Sequence, residues 1–328
     1  MSKRAVCTGV LGQDASWLSE HLISLGYDVY GVYKRVSSGN NLKNISQLTK
    51  HPRFHLIEGD VCDAGFVNSL VKDLQPDEYY GLAAMSHVGH SFKIPVETFK
   101  IDAEAVIIQL EAIRCFSPST KFYNAATSEL FGGLGCPEQG FDENSKFNPR
   151  SPYAVAKLAA FYATKNYREA YRLHASSGIL FNHSSTRRGE DFATRKITMG
   201  IANIVAGKAT NLCMGNLEAF RDEGHAKDYV RAMHLILQQD NADDFVVATG
   251  TGATIREMLE YVCGLANLKI EDVYIQDERF MRPSEVPRLL GNPTKIRQVT
   301  GWKLEYTWKS LLTEMYEHDL AEITQKVK

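Results

Sequence analysis

Tyr153 and Lys157 stand four residues apart in Arg150-Ser-Pro-Tyr-Ala-Val-Ala-Lys157. The stretch is rich in helix formers, so the two side chains share one helix face. Pro152 suits the first turn of that helix, where a missing N–H costs nothing. An ammonium beside a phenol favours the phenolate, lowering a pKa that starts near about 10. Such a couple can take the proton from a sugar hydroxyl while hydride leaves the same carbon. Upstream, Asn124-Ala-Ala-Thr127-Ser128-Glu129 follows the apolar run Lys121-Phe-Tyr123. A buried strand there delivers Thr127 and Glu129 to a sheet rim, one to hydrogen-bond a substrate hydroxyl, the other to shuttle a proton.

These residues need a scaffold, and the first half of the chain reads as a nucleotide-binding one. Ala5–Thr8 is a short strand, the turn carries Gly9, Gly12, Gln13 and Asp14, a helix runs to about Leu25, and Tyr27–Tyr33 is the next strand. This βαβ unit has G-x-x-G-x-x-A spacing, with Ala15 in a position that needs only a small residue. Backbone N–H groups and a helix N-terminus there can take a pyrophosphate. After the second strand, where an acidic residue favours NAD, stand Lys34, Arg35 and Ser37. Cations and hydroxyls suit a 2′-phosphate, so NADP is the expected cofactor.

Alternation continues. Phe54–Ile57 leads to Asp60 and Val61 near the adenine position, and Asp63 caps a helix to Leu74. The strand Glu78–Leu82 ends in Ala83, Ala84 and Ser86, small residues that let a cofactor approach the backbone. A long helix is expected from Glu97 to Arg114, then strands Thr120–Ala125 and Ala175–Phe181. The fold class is therefore α/β: a Rossmann-type doubly wound parallel sheet with a smaller mixed α/β substrate-binding region. Residues 1–182 are assigned mainly to the cofactor unit and 183–328 mainly to the substrate region, the two interleaved.

The second half places arginines in loops of an otherwise slightly acidic chain, as in Arg187-Arg188, Arg221 and Arg279 to Arg282. Arginine's planar fork matches a diphosphate. The stretch from Trp308 to about Ile323 reads as an amphipathic closing helix.

Composition narrows the class. The 328 residues carry a formal net charge of −2, with 44% hydrophobic and 23% charged residues, which gives no bulk attraction to nucleic acid or anionic membrane. Six scattered cysteines without a C-x-x-C imply a reducing compartment. With no signal-peptide pattern and no apolar run near the ~20 residues of a membrane span, a cytoplasmic location is expected. His87 and His90 lack further ligands, so no metal is expected.

With these segments assembled, the chain resembles the extended short-chain dehydrogenase/reductase superfamily and, within it, the GDP-mannose 4,6-dehydratase family. Thr8-Gly-Val-Leu-Gly-Gln-Asp14 and Arg150–Lys157 mark the superfamily, while Leu180-Phe-Asn-His183, Arg187-Arg-Gly-Glu190 and Gly224-His-Ala-Lys-Asp-Tyr229 are narrower. The resemblance implies that Thr127, Glu129, Tyr153 and Lys157 catalyse C4 oxidation, loss of water across C5 and C6, and hydride return to C6. It implies that His183 and Arg188 touch the cofactor, alongside Leu82. It also implies that Asn182, Arg187, Lys196, Arg221, Arg282 and Glu285, with Ser86, serve GDP-mannose or a close GDP-sugar. A homodimer or homotetramer is expected, through the stretch beginning at Arg35. Departures include Glu97 in place of a tyrosine, and Gly81 and Glu223 in place of an asparagine and an aromatic residue. A dehydratase of a related GDP-sugar such as a heptose, a 4-keto reductase, and a non-catalytic NADP-sensing protein stand as alternatives.

Overall fold

Arg4–Thr8 (β1) is buried on both sides, as its apolar sequence requires, and alternate residues face opposite layers. Ala5 and Cys7 meet a cluster containing Leu18 and Leu22, whereas Val6 meets Val67 and Leu110. Gly9 turns the chain at φ +69°, where a Cβ would lie 2.9 Å from the Ala83 Cα. Helix α1, Gln13–Ser24, then leads to β2, Asp28–Tyr33. This is a computed structural model of the chain and describes residues 2–36, 42–281 and 284–325.

The next elements are β3 (Phe54–Glu58), α2 (Ala64–Leu74) and β4 (Glu78–Gly81). Asp63 caps α2 by accepting from Gly65 N at 2.8 Å and Phe66 N at 3.2 Å. After α3 (Ala105–Phe116) come β5 (Lys121–Thr127), α4 (Pro152–Tyr171), β6 (Ala175–Leu180) and, much later, β7 (Phe245–Val247). Their order is β7-β6-β5-β4-β1-β2-β3 with every pair parallel. One layer contains α1 and the helix Ala226–Leu237, the other α2, α3 and α4. This is the expected doubly wound sheet. Strand order reverses between β1 and β4, which opens a crevice at the strands' carboxyl ends.

Three features differ from the sequence reading. The helix expected over Glu97–Arg114 is divided into Pro95–Phe99, a π-helical turn Lys100–Glu104, and α3. Strand β5 continues to Thr127, so its last residue is itself a site candidate. The short strand β7 returns from the second half to close one edge of the sheet.

The remaining region consists of small sheets and helices. Asn182–Ser184 pairs in parallel with Glu223–His225, and Phe220–Arg221 lies between Ala253–Thr254 and Arg288–Leu289. Its own core includes Ile197, Ile201, Met258, Leu259 and Leu312. The closing helix, Trp308–Gln325, packs on Ala193–Val205. Among the described residues no helix is long and apolar enough to cross a membrane.

Candidate active site

Strand β5 delivers Thr127 to the rim of the sheet, where its Oγ1 accepts from Glu129 N at 3.3 Å and caps the 3-10 turn Ser128–Phe131. Phe131 stacks on Phe141 with centroids 4.6 Å apart, anchoring the turn from behind. That packing holds Glu129, a carboxylate only 7% exposed, against the cleft. Helix α4 starts at once after its cap, Ser151 Oγ, which accepts from Ala154 N at 3.1 Å, with Pro152 in the first turn. Tyr153 and Lys157 lie on its buried side, and Lys157 Nζ donates to the Ala125 carbonyl at 3.0 Å.

The electrostatics reverse one expectation. Burial pushes the Tyr153 phenol above its ordinary value, and the carboxylates Asp102 and Glu129 push the same way. A hydrogen bond from Thr127 and the charge of Arg188 pull it down. Lys157 is itself held below the usual ammonium value by burial, opposed by Asp102. Desolvation is thus the largest influence on both groups.

These side chains open on a cleft of about 400 Å³ that continues across the glycine-rich turn. Gln13 Nε2 donates to Asp14 Oδ1 at 2.9 Å, and Asp14 Oδ2 meets His183 Nε2 at 2.9 Å. The other ring nitrogen of His183 donates to the Phe181 carbonyl at 2.8 Å, and the ring stacks on Tyr229 at 4.3 Å. Burial raises the Asp14 carboxyl, but His183, Gln13 and Arg188 overcome it and hold the group at about 2. The Arg188 guanidinium lies over the Phe192 ring at 3.7 Å, and its Nε is buried with no hydrogen-bond partner among the described residues.

Residues 6–315 match the family described as "GDP-mannose 4,6 dehydratase". The GDP-mannose 4,6-dehydratase of Vibrio cholerae is 43% identical, covering 98% of this chain and 94% of that protein. That of Sinorhizobium fredii is 44% identical, covering 97% of each. The chain belongs to the GDP-mannose 4,6-dehydratase family. Solved structures share the fold at low identity. A dTDP-glucose 4,6-dehydratase from Bacillus anthracis in complex with NAD has a TM-score of 0.85 at 20% identity, covering 99% of this chain and 98% of that one. RMD from Pseudomonas aeruginosa complexed with NADPH has 0.80 at 23%, covering 98% and 99%.

A dinucleotide fits the residues of this family member. Gly9 leaves no room for a side chain against Ala83, the first turn of α1 has no side-chain cap, and the unpartnered Arg188 Nε faces the same cleft. Of the sequence-derived candidates, Gly9, Gly12, Gln13, Asp14, Lys34, Leu82, Ala83, Ala84, Ser86, Asn182, His183 and Arg188 line it with Thr127, Glu129, Tyr153 and Lys157. Lys34 is paired with Asp60 at 2.8 Å, which offsets its charge. Arg35, Asp60 and Val61 are outside the lining; Val61 is buried and Arg35 exposed. Ser37 and Arg282 lie outside the described residues.

The remaining candidates are engaged elsewhere. Arg187 pairs with Glu20, donates to Ser16 Oγ at 3.1 Å and covers the Trp17 ring at 3.6 Å. Lys196 sits over the Phe280 ring at 3.0 Å. Arg221 donates to the Val286 carbonyl at 2.8 Å and approaches Glu285 Oε1 at 3.4 Å, so these two candidates partner each other. Two carboxylates were absent from the candidate set. Glu223 lies opposite Asn182 on the paired strand, buried, with Oε1 unpartnered among the described residues. Asp102 is fully buried near Lys157. Its signal was a carboxylate on the stripe Thr98, Asp102, Val106 and Gln109, four or three residues apart and all buried.

Proposed function

We propose that this family member is a GDP-mannose 4,6-dehydratase that uses NADP and yields GDP-4-keto-6-deoxy-mannose. The observation that carries the reading is a buried carboxylate, Glu129, on the same cleft as the Tyr153 phenol and the Thr127 hydroxyl. A bare C4 oxidation or reduction needs only the phenol. The carboxylate adds a group for C5.

In this reading Tyr153 Oη accepts the proton of the C4 hydroxyl, with Thr127 hydrogen-bonded to it to steady the phenolate. A nicotinamide held in this cleft would supply the hydride chemistry needed at C4 and C6. The ketone at C4 acidifies the C5 hydrogen, Glu129 takes that proton, and the protonated carboxyl assists departure of the C6 hydroxyl as water. Lys157, donating to the Ala125 carbonyl, holds its ammonium at the inner wall of the cleft. The uncapped start of α1 and Arg188 favour the cofactor's diphosphate. Lys34 and Arg35 support NADP over NAD, although Lys34 must share its charge with Asp60. Assembly as a homodimer or homotetramer belongs to the same reading.

A related GDP-sugar such as a GDP-heptose is the second reading. It is favoured by Glu223, whose Oε1, buried and unpartnered among the described residues, lies on the strand paired with that of Asn182, where the family resemblance implies an aromatic residue. The test is to incubate the protein with GDP-mannose without added cofactor and weigh the sugar nucleotide by mass spectrometry. Loss of one water without net NADPH consumption is expected. An unchanged substrate, with NADP supplied and the protein folded, overturns the GDP-mannose reading and moves the assay to other GDP-sugars.

A further inference from the structure

Asp102 is a carboxylate that the proton transfers above do not use. It has no solvent exposure, and burying a charge without compensation is costly. Oδ1 accepts from Met85 N at 2.8 Å, while Oδ2 is buried with no hydrogen-bond partner among the described residues. The residue belongs to the π-helical turn Lys100–Glu104, an interruption of the kind that recurs at functional sites. This turn packs against α4, which carries Tyr153 and Lys157, and Met85 follows directly on the cleft residues Leu82, Ala83 and Ala84.

We propose that Asp102 is a positioning residue for the proton transfers: anchored by the Met85 backbone, its carboxylate keeps the Lys157 ammonium charged and sets the pH range in which Tyr153 works as a base. Lys157 and Tyr153 interact electrostatically with it from α4, on which its turn packs, and the Met85 N–H donates to it from the loop after β4. Glu129 and Arg188 also act on Tyr153, from the turn after β5 and the loop after Asn182–Ser184. Burial raises the Asp102 carboxyl to about 6, with Lys157 and the Met85 N–H opposing it, so it changes charge within the working range of an enzyme.

The proposal rests on the roles given to Tyr153 and Lys157, and two measurements keep it separable from them. The first is the pH dependence of kcat/KM for Asp102→Asn. Removing an anion that disfavours the phenolate moves the rising limb toward acid by about one unit, and loss of support for the ammonium moves the falling limb the same way. A profile that superimposes on the wild type, whatever the change in stability, overturns the proposal. The second needs no turnover and no change at Asp102. In protein carrying carbon-13-labelled aspartate, the Asp102 carboxyl titrates near 6, and Lys157→Met raises its midpoint by about one unit. Coincident titrations overturn the proposal even if activity behaves as expected. If Tyr153→Phe keeps full activity while the midpoint still moves, the base assignment fails and the Asp102–Lys157 coupling stands.

Discussion

In the proposed reaction Glu129 divides the chemistry into two halves, so replacing it reads them separately. Glu129→Gln keeps the shape of the side chain in its buried pocket but cannot take the C5 proton. Product formation is expected to fall by about 100- to 10,000-fold, the range for losing a positioned acid–base group. Oxidation at C4 still proceeds, so enzyme-bound reduced nicotinamide accumulates and is seen by absorbance. Normal turnover in this variant would remove Glu129 from the base role. At this scale the sequence was informative about identity and poor about partners. Tyr153 and Lys157 were legible because four-residue spacing and a proline-started helix fix a shared face. The sign of the Tyr153 shift was not, because it depends on burial and on Asp102, which chain distance separates from it. The partner of Arg187 was hidden for the same reason: Glu20 lies on α1, and no local pattern joins the two.

Elements were legible wherever local chemistry marks their ends. Asp63 before Ala64–Leu74 and Pro152 in the first turn of α4 gave those helix starts correctly. The π-helical turn was invisible because one extra residue per turn leaves composition unchanged. Strand β7 is three buried residues without alternation, too short to separate from a loop by pattern. The glycine-rich turn is the element whose sequence requirement is strictest. Gly9→Val must place a β-branched residue at φ +69° and a Cβ 2.9 Å from the Ala83 Cα, which is backbone and cannot move aside cheaply. The backbone conformation alone costs roughly 1–2 kcal/mol, and the clash adds to it. A lower denaturant midpoint is expected, with nicotinamide-cofactor binding at least about tenfold weaker by calorimetry because the β1–β4 crevice must widen. Wild-type stability and affinity together would show that the turn does not need glycine.

Over the whole molecule, the cofactor sheet and the later chain are joined by buried polar contacts that pH can dissect. Asp14, at the start of α1, meets His183 on the strand Asn182–Ser184, so one hydrogen-bonded pair fastens the first turn of α1 to the region that follows β6. The folded-state value of about 2 lies below the unfolded carboxyl value of 3.8. A depressed carboxyl contributes stability that is complete above the unfolded pKa and is lost as pH falls through the folded one. Two such values correspond to about 2–3 kcal/mol at neutral pH, falling to about half of that near pH 3. Asp14→Asn should therefore lower the unfolding free energy by an amount that is largest at pH 6–7 and shrinks as the solution is acidified. Guanidinium unfolding of both proteins at pH 7, 5 and 3 measures it. Asparagine also alters hydrogen bonds to Gln13 and His183, but that part does not follow the carboxyl titration. A difference that stays constant from pH 7 to pH 3 would mean the pair is held by packing around His183 and Tyr229, with the charge of Asp14 contributing nothing to the join.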